Sequence, residues 1–530
     1  MKLNRFMGAM IATVITASSF LAAPCYAENL QDAVSKPNMD APNTNVTDET
    51  LVVSFASEPS GLWGSATGKV ENEMLIINMA LTDSLICVDP LTYEIKPNLA
   101  TEWEWKDDTH CRFVLRDDVM MSDGTPLVAD DVVYSVNVWK ENSPNTDTGR
   151  FFEDAVAEDE HTVLIGFNTS APDMLKMLSW SNFGIVSEDE INALGGIEEA
   201  DKTPIFGSGK YRFVSWDRGQ SIVLERNDSY WNPDYKGYFK TIKFTFTTDP
   251  SARILTVQSG DAQVACQLPL SMGSALIGNE TVKVYAYELG ENLRLWYNMG
   301  PKAGATADLK VRQAIDKALD FNAIAAVGTA GMAAPTGSYF PGTSKYSESV
   351  FTDEERAVDI DGAKELLKEA GYEDGLSLKA VGLADQELEF TVIQECLRQI
   401  GIDLTLSIVD VPTYLDVANA GDYDLIYLGD QIDLRYPSCL SFFMQSSIDT
   451  FCIGGAKWTT PEIEAAIHEF IEERDEDKAV EEARALQEML KAEMPYSNTC
   501  PHLQCTITDA SIKGVTTGQM GALNPTTLYK

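Results

Sequence analysis

Between Asp422 and Ser438 the chain reads DYDLIYLGDQIDLRYPS, and behind Gly429 come Asp430, Gln431, Asp433, Arg435 and Tyr436. Two carboxylates can hold a cationic group, a guanidinium can hold an anion, and an amide and a phenol can fix orientation by hydrogen bonding. Such a set suits noncovalent recognition. The residues ahead of it, Tyr423 to Leu428, are mostly apolar and rich in Leu, Ile and Tyr, which predicts a buried strand ended by Gly429. Two helix-then-strand units precede that strand, so it is expected in a parallel sheet. In open sheets of this kind ligands lie beyond the carboxyl ends of the strands. From position alone, the same residues also fit a solvated surface loop.

Signatures of covalent or metal chemistry are missing from the sequence. The four His, at positions 110, 161, 468 and 502, show no HExxH or other close metal-ligand spacing. GSATGKV, Gly64 to Val70, is too short between its glycines for a phosphate loop and has Val70 where a magnesium-binding hydroxyl is needed. There is no GxSxG. The adjacent acids Asp130 and Asp131 are explained by the start of a helix. No metal, cofactor or catalytic residue is expected, and the chain does not read as an enzyme. Trp63, set between Gly61 and Gly64, reads equally well as a ligand-facing indole or as packing.

The elements that must position the loop begin with a strand at Leu51 to Phe55. A β-rich region follows, with strands at Leu85–Val88, Trp103–Trp105, Cys111–Leu115 and His161–Phe167. A helix behind the Asp123-Gly124 turn carries Val132, Val133, Val136 and Trp139 on its apolar face. Alternation of Tyr211 and Phe213, then Ile222 and Leu224, predicts a hairpin about Asp217-Arg218-Gly219. Trp103, Trp105 and Trp216 fall in strand patterns and are expected in the core. Leu293 to Tyr297 is a further strand leading into a second lobe. From Asp308 onward helices and strands alternate, and Pro461 to Ala492 is a long acidic amphipathic stretch broken near Asp475 to Asp477. Its buried side is expected to include Ile463, Ile467, Phe470, Ile471, Val480, Ala483, Leu486 and Leu490.

The chain has 530 residues and a formal net charge of −41, which argues against nucleic acid or an anionic membrane surface as main partner. Residues 1–27 read as a secretory signal: Lys2 and Arg5, an apolar core from Phe6 to Ala23, and Cys25-Tyr26-Ala27 at the cleavage site. Residues 28–50 are polar and read as a flexible leader. Release after Ala27 and lipid anchoring through Cys25 both remain open, so the protein is expected in the periplasm or on the outer face of the cell membrane. Eight further Cys are too scattered for a disulfide-dense scaffold and read as bridges or buried thiols.

Four strings then carry a resemblance. LICVDPLTYEIKPNLATEWEWKDDTHCRFVLRDDVMMSDGTPLVADDVVYSV spans Leu85 to Val136, and GSGKYRFVSWDRGQSIVLERNDSYW spans Gly207 to Trp231. YNMGPKAGATADLKVRQAIDKALD runs from Tyr297 to Asp320 and AKELLKEAGYEDG from Ala363 to Gly375. In this order they resemble the extracellular solute-binding protein family 5, the peptide and nickel receptors of ABC importers. Lys210 stands where the family has Pro. The resemblance implies an α/β, two-lobed periplasmic-binding-protein-like fold with an extra subdomain in the first lobe. Lobe 1 would cover 51–295, lobe 2 296–495, and 496–530 would return to lobe 1, with crossings near Asn298 and near Tyr496 to Cys505. It implies a monomeric receptor that closes over a small solute, most of all a short peptide, and delivers it to a permease. In peptide-binding relatives an acid in the loop after this strand pairs with the ligand's terminal ammonium, and Asp433 holds the matching position. The backbones of Gly429 and Gln431 would support that contact, and Arg435 would either meet a ligand carboxylate or neutralise Asp433. Asp430 replaces the family's usual Trp, which leaves a nickel complex, an opine or a sugar open as ligand. The same fold would also serve a secreted peptide-processing enzyme, or a surface adhesin or chaperone.

Overall fold

The computed structural model describes residues 45–67, 71–88, 94–142, 151–168, 170, 173–204, 206–342, 344–431, 456–518 and 521–530. The expected signal, the leader up to residue 44, and Asp433, Arg435 and Tyr436 lie outside the described residues. In chain order the strands are β1 Thr50–Phe55, β2 Ile86–Val88, β3 Ile95–Pro97, β4 Ala100–Trp105, β5 His110–Leu115, β6 Phe152–Asp159, β7 Thr162–Phe167 and β8 Tyr211–Asp217. They continue with β9 Ser221–Arg226, β10 Thr241–Phe246, β11 Val264–Leu268, β12 Val282–Tyr297, β13 Leu376–Gly382, β14 Ile402–Ile408, β15 Leu425–Gln431 and β16 Tyr496–Asp509.

Ten of these strands form one sheet in the order β14-β13-β15-β12-β16-β11-β1-β10-β9-β8, and β4-β5-β7-β6 form a separate antiparallel sheet. The centre of the large sheet is the antiparallel pair β12 and β16, whose register slips between Glu288 and Asn292 and again between Leu293 and Arg294. Gly290, at φ +80°, sits inside the first slip; an L side chain rarely adopts that conformation, so glycine is required there. On one side β11, β1 and β10 follow, with β1 parallel to both neighbours. On the other side β13 runs parallel to β14 and to β15.

Local sequence explains the helices that link the parallel strands. Helix Val411–Ala420 starts where the Asp410 carboxylate accepts from Thr413 N at 3.0 Å and ends at Gly421, φ +65°. Asp308, Asp320, Asp359 and Asp475 cap other helices in the same way, each contact being worth about 1 kcal/mol. Part of the acidic excess therefore serves helix starts. Between β13 and β14, helix Glu387–Gln399 buries Phe390, Ile393 and Leu397 against the sheet.

Four sequence expectations need correction. The strand expected at Leu293–Tyr297 is only the end of the sixteen-residue β12, whose first half was hidden by interspersed Lys283, Glu288, Gly290 and Glu291. Gly429 does not end β15, because backbone pairing with β12 continues to Gln431. Val480 is 40% exposed and lies off the buried stripe of helix Glu476–Glu493. Trp103, Trp105 and Trp216 are only half-buried at the edges of their clusters.

Candidate ligand-binding site

Strands β13, β14 and β15 end on the same edge of the sheet, at Gly382, Ile408 and Gln431. Antiparallel β12 brings Glu291 opposite Gln431 and Asn292 opposite Asp430 at that edge. β16 lies on the other flank of β12, with Pro501 opposite Asn292 and Leu503 opposite Glu288, so His502 arrives beside Glu291. The residues just past the strand ends, GLADQELE from Gly382 to Glu389 and IVDVP from Ile408 to Pro412, contain no Lys or Arg.

Glu291 lies directly over the backbone of β15. A Cβ added at Gly429 would sit 2.9 Å from its Oε2, so glycine is what lets the carboxylate approach. Its Oε1 is paired with His502 Nδ1. Burial alone would lower the His502 pKa, but the Glu291 hydrogen bond and charge, joined by Asp385 and Glu389, outweigh burial and raise it. The imidazole is thereby biased towards its charged form.

Glu389 is 5% exposed. Among the described residues, no other residue donates a hydrogen bond to its carboxylate; its own backbone N–H is the one donor. Burial raises its pKa, the contact with its own backbone lowers it, Asp385 raises it further and His502 lowers it. Gly328 closes this corner, since an added Cβ would lie 3.1 Å from Glu389 Oε1 and 3.2 Å from Cys500 Sγ. Cys500 is itself pushed up to about 12 by burial, which makes it an inert thiol.

The opposite face of β12 is also polar. Arg294 donates from Nε to Asn498 Oδ1 at 3.0 Å and from Nη2 to the Tyr339 carbonyl at 2.6 Å, with its guanidinium 4.5 Å from the Tyr496 ring centroid. Trp296 packs its ring 4.3 Å from that of Tyr496, tilted by 57°, and donates to the Leu428 carbonyl of β15 at 3.4 Å. These contacts fix β15 against β12 and hold the strand end at a set height.

The structure brings Gly429 and the backbones of Asp430 and Gln431 to this edge. The side chains of Asp430 and Gln431 are not among the described parts, and neither are Asp433, Arg435 and Tyr436 as whole residues. Trp63 is placed elsewhere. It is 3% exposed, packs its ring 5.3 Å from Phe206, and receives hydrogen-bond support through Asp201, which accepts its backbone N–H at 2.7 Å. Shallow surface hollows, at Ile191 to Glu199 and at Glu469 to Lys478, do not include residues of the carboxyl edge. Among the described residues, no three His, Cys, Asp or Glu side chains gather closely enough to hold a metal ion.

A family model described as bacterial extracellular solute-binding proteins, family 5 Middle, matches residues 94–448, more than half of the chain. The chain belongs to this family. The periplasmic murein peptide-binding protein MppA of Escherichia coli (strain K12) is 25% identical over 391 residues, covering 67% of this chain and 70% of MppA. The oligopeptide-binding protein OppA of Bacillus subtilis (strain 168) is 24% identical over 455 residues, 77% of this chain and 80% of OppA. The solved structure of HbpA2 from Haemophilus parasuis superimposes with a TM-score of 0.79 at 18% identity, over 91% of this chain and 99% of that one. The two-lobed α/β fold of such solute-binding proteins is the fold of this chain.

Sequence reasoning missed Glu291, Asp385, Glu389 and His502 as neighbours. Glu291 lies in the half of β12 that does not read as strand, and His502 stands outside any metal-ligand spacing. No local signal joins Glu291, the Asp385–Glu389 segment and His502, which are far apart in the chain. The usable clue was topological: strands that end on one edge share whatever flanks them.

Proposed function

We propose that the chain is the exported receptor of an ABC importer, closing two lobes over a short peptide and delivering it to a membrane permease. Residues 51–295 with 496–530 would form one lobe and 296–495 the other. Closure would bend β12 and β16 where their register slips between Leu293 and Arg294, next to the lobe boundary. No covalent step is involved; the work is the difference in affinity between open and closed states.

The observation that carries this reading is the carboxyl edge of β13, β14 and β15, rich in carboxylates and free of Lys and Arg at the ends of β13 and β14. Such an edge suits a ligand that offers an ammonium. Asp433, two residues beyond β15, is the proposed partner of that ammonium, with the backbones of Gly429 and Gln431 and the side chains of Asp430, Arg435 and Tyr436 around it. Trp63 is assigned to packing. Family membership and the names of MppA and OppA support a peptide over other solutes. Among the described residues no helix is long and apolar enough to cross a membrane. The N-terminal 27 residues would direct export, with release after Ala27 or anchoring through Cys25.

Binding of a short-peptide library, followed by thermal shift and titration calorimetry, tests the reading. Several peptides with free amino termini should raise the melting temperature, and acetylating those termini should weaken binding at least about tenfold, the scale of a charged hydrogen bond. Absence of any binding across the library would overturn it. Asp433→Ala should reproduce the loss seen on acetylation.

A further inference from the structure

We propose that Glu291, Asp385 and Glu389, gathered around His502 at the carboxyl edge of β13, β14 and β15, form a subsite for a second cationic group of the ligand, so that the receptor selects peptides bearing a Lys or Arg side chain. This rests on the peptide reading above and adds to it a substrate class. The ammonium assigned to Asp433 is a different group.

Glu389 is the costly member of the set. A carboxyl group that is 5% exposed and accepts only from its own backbone N–H is expensive to ionise. Buried acids in folded chains are normally hydrogen-bonded or paired. Packing does not demand an acid here, because Phe390, Ile393 and Leu397 already supply the apolar contacts of this helix. The two glycines make the same point from the backbone side. Gly429 and Gly328 each leave room for a carboxylate oxygen that a Cβ would crowd, at 2.9 Å for Glu291 and 3.1 Å for Glu389. Both carboxylates thus approach a strand or helix backbone closely because a glycine stands there.

Charge gives the chemical class. His502 is the one basic side chain in this set and is already engaged by Glu291, which leaves an excess of negative charge that no Lys or Arg at the ends of β13 and β14 offsets. A carboxylate-bearing side chain would be repelled. A neutral apolar side chain would leave Glu389 with no donor beyond its own backbone N–H. An ammonium or guanidinium supplies the donor and the charge together, the pairing that offsets burial of an ion.

The test compares Ala-Lys-Ala, Lys-Ala-Ala and Ala-Ala-Lys with the same peptides carrying norleucine or Glu in place of Lys. Norleucine keeps the apolar stem and removes the charge. The protein should bind at least one Lys peptide about tenfold more tightly than its norleucine counterpart, and the Glu peptide least well. In Glu389→Gln, and separately in Glu291→Gln, that ratio should fall below about threefold, with circular dichroism confirming the fold; the second variant decides if the first does not fold. Equal affinity for Lys and norleucine peptides, or an undiminished ratio in both variants, overturns the subsite and leaves the peptide reading standing. Failure of every peptide to bind removes the peptide reading, and the subsite with it.

Discussion

Two buried acids, one in each half of the chain, are treated in opposite ways. Asp83, 8% exposed, accepts from the Tyr230 hydroxyl, the Trp231 indole N–H and the Ser208 hydroxyl, each at 2.9 Å, and lies within electrostatic reach of Lys210. Glu389, buried as deeply, has only its own backbone N–H. Burial raises the pKa of both, yet only Asp83 has a set of donors built around it. A saturated acid is a joint of the scaffold; an unsaturated one is open to a partner from outside. The joint also explains a sequence departure. Ser208, Lys210, Tyr230 and Trp231 all come from the string Gly207–Trp231, and Lys210, where the family resemblance implies Pro, lies within electrostatic reach of the acid that the string encloses.

The largest expected effect breaks the joint. Asp83→Ala leaves the Tyr230, Trp231 and Ser208 donors without their acceptor and removes the carboxylate that faces Lys210, and should cost about 3–5 kcal/mol of stability, read from urea midpoints. A loss under about 1 kcal/mol would erase the contrast with Glu389. Asp131 stands between the two extremes. It is buried, and its best-placed outside donor is the Val128 N–H at 2.9 Å. Burial pushes its carboxyl up to about 6, against that contact and a weaker one from Ser187. A folded pKa above the unfolded value means the folded state holds the proton more tightly. Its contribution to stability is therefore fully present below about pH 4 and is lost as pH rises to about 6. The loss should be on the order of 2–3 kcal/mol. Asp131→Asn should flatten urea midpoints measured between about pH 4 and 7; an unchanged slope would remove Asp131 as its cause.

Glu389→Gln should move stability by less than about 1 kcal/mol at neutral pH, or raise it, because no donor is orphaned and a costly buried charge disappears. A loss above about 2 kcal/mol would mean that Glu389 is a joint after all. Equal treatment of the two acids would then be the better description.

The contrast also shows what could be read from residue order. Hairpin β8–β9, helix Ala129–Asn142 and the helix–strand alternation after Asp308 were legible because apolar period and turn residues are local signals. The position of β15 and of its Gly429 was legible for the same reason. Length of β12 was not, since a strand flanked on both sides by neighbours tolerates Glu288, Gly290 and Glu291, and those residues mimic a loop. The joint at Asp83 was invisible because its donors lie more than a hundred residues away. Trp63 between its glycines fitted a ligand-facing indole and packing equally well, and Phe206 and Asp201, from a distant segment, place it in the packing. What tertiary contact decides, periodicity does not report.

The smallest effect is the sharpest for lobe 2. At Gly429 an added Cβ meets the far end of Glu291, with Oε2 at 2.9 Å and Cδ at 3.0 Å, and no backbone atom is among its nearest neighbours. A flexible side chain can swing aside, so Gly429→Ala should leave stability within about 1 kcal/mol of the parent. The displaced carboxylate, however, can no longer hold its place against His502. With the Glu291 hydrogen bond and charge weakened, burial gains ground, and the His502 pKa should fall relative to the parent in an NMR titration. Lys-peptide selectivity should fall with it, because Glu291 leaves the position it shares with Asp385 and Glu389. An unaltered His502 titration would show that Gly429 is dispensable to the acidic corner, and that the strand's backbone alone sets its geometry.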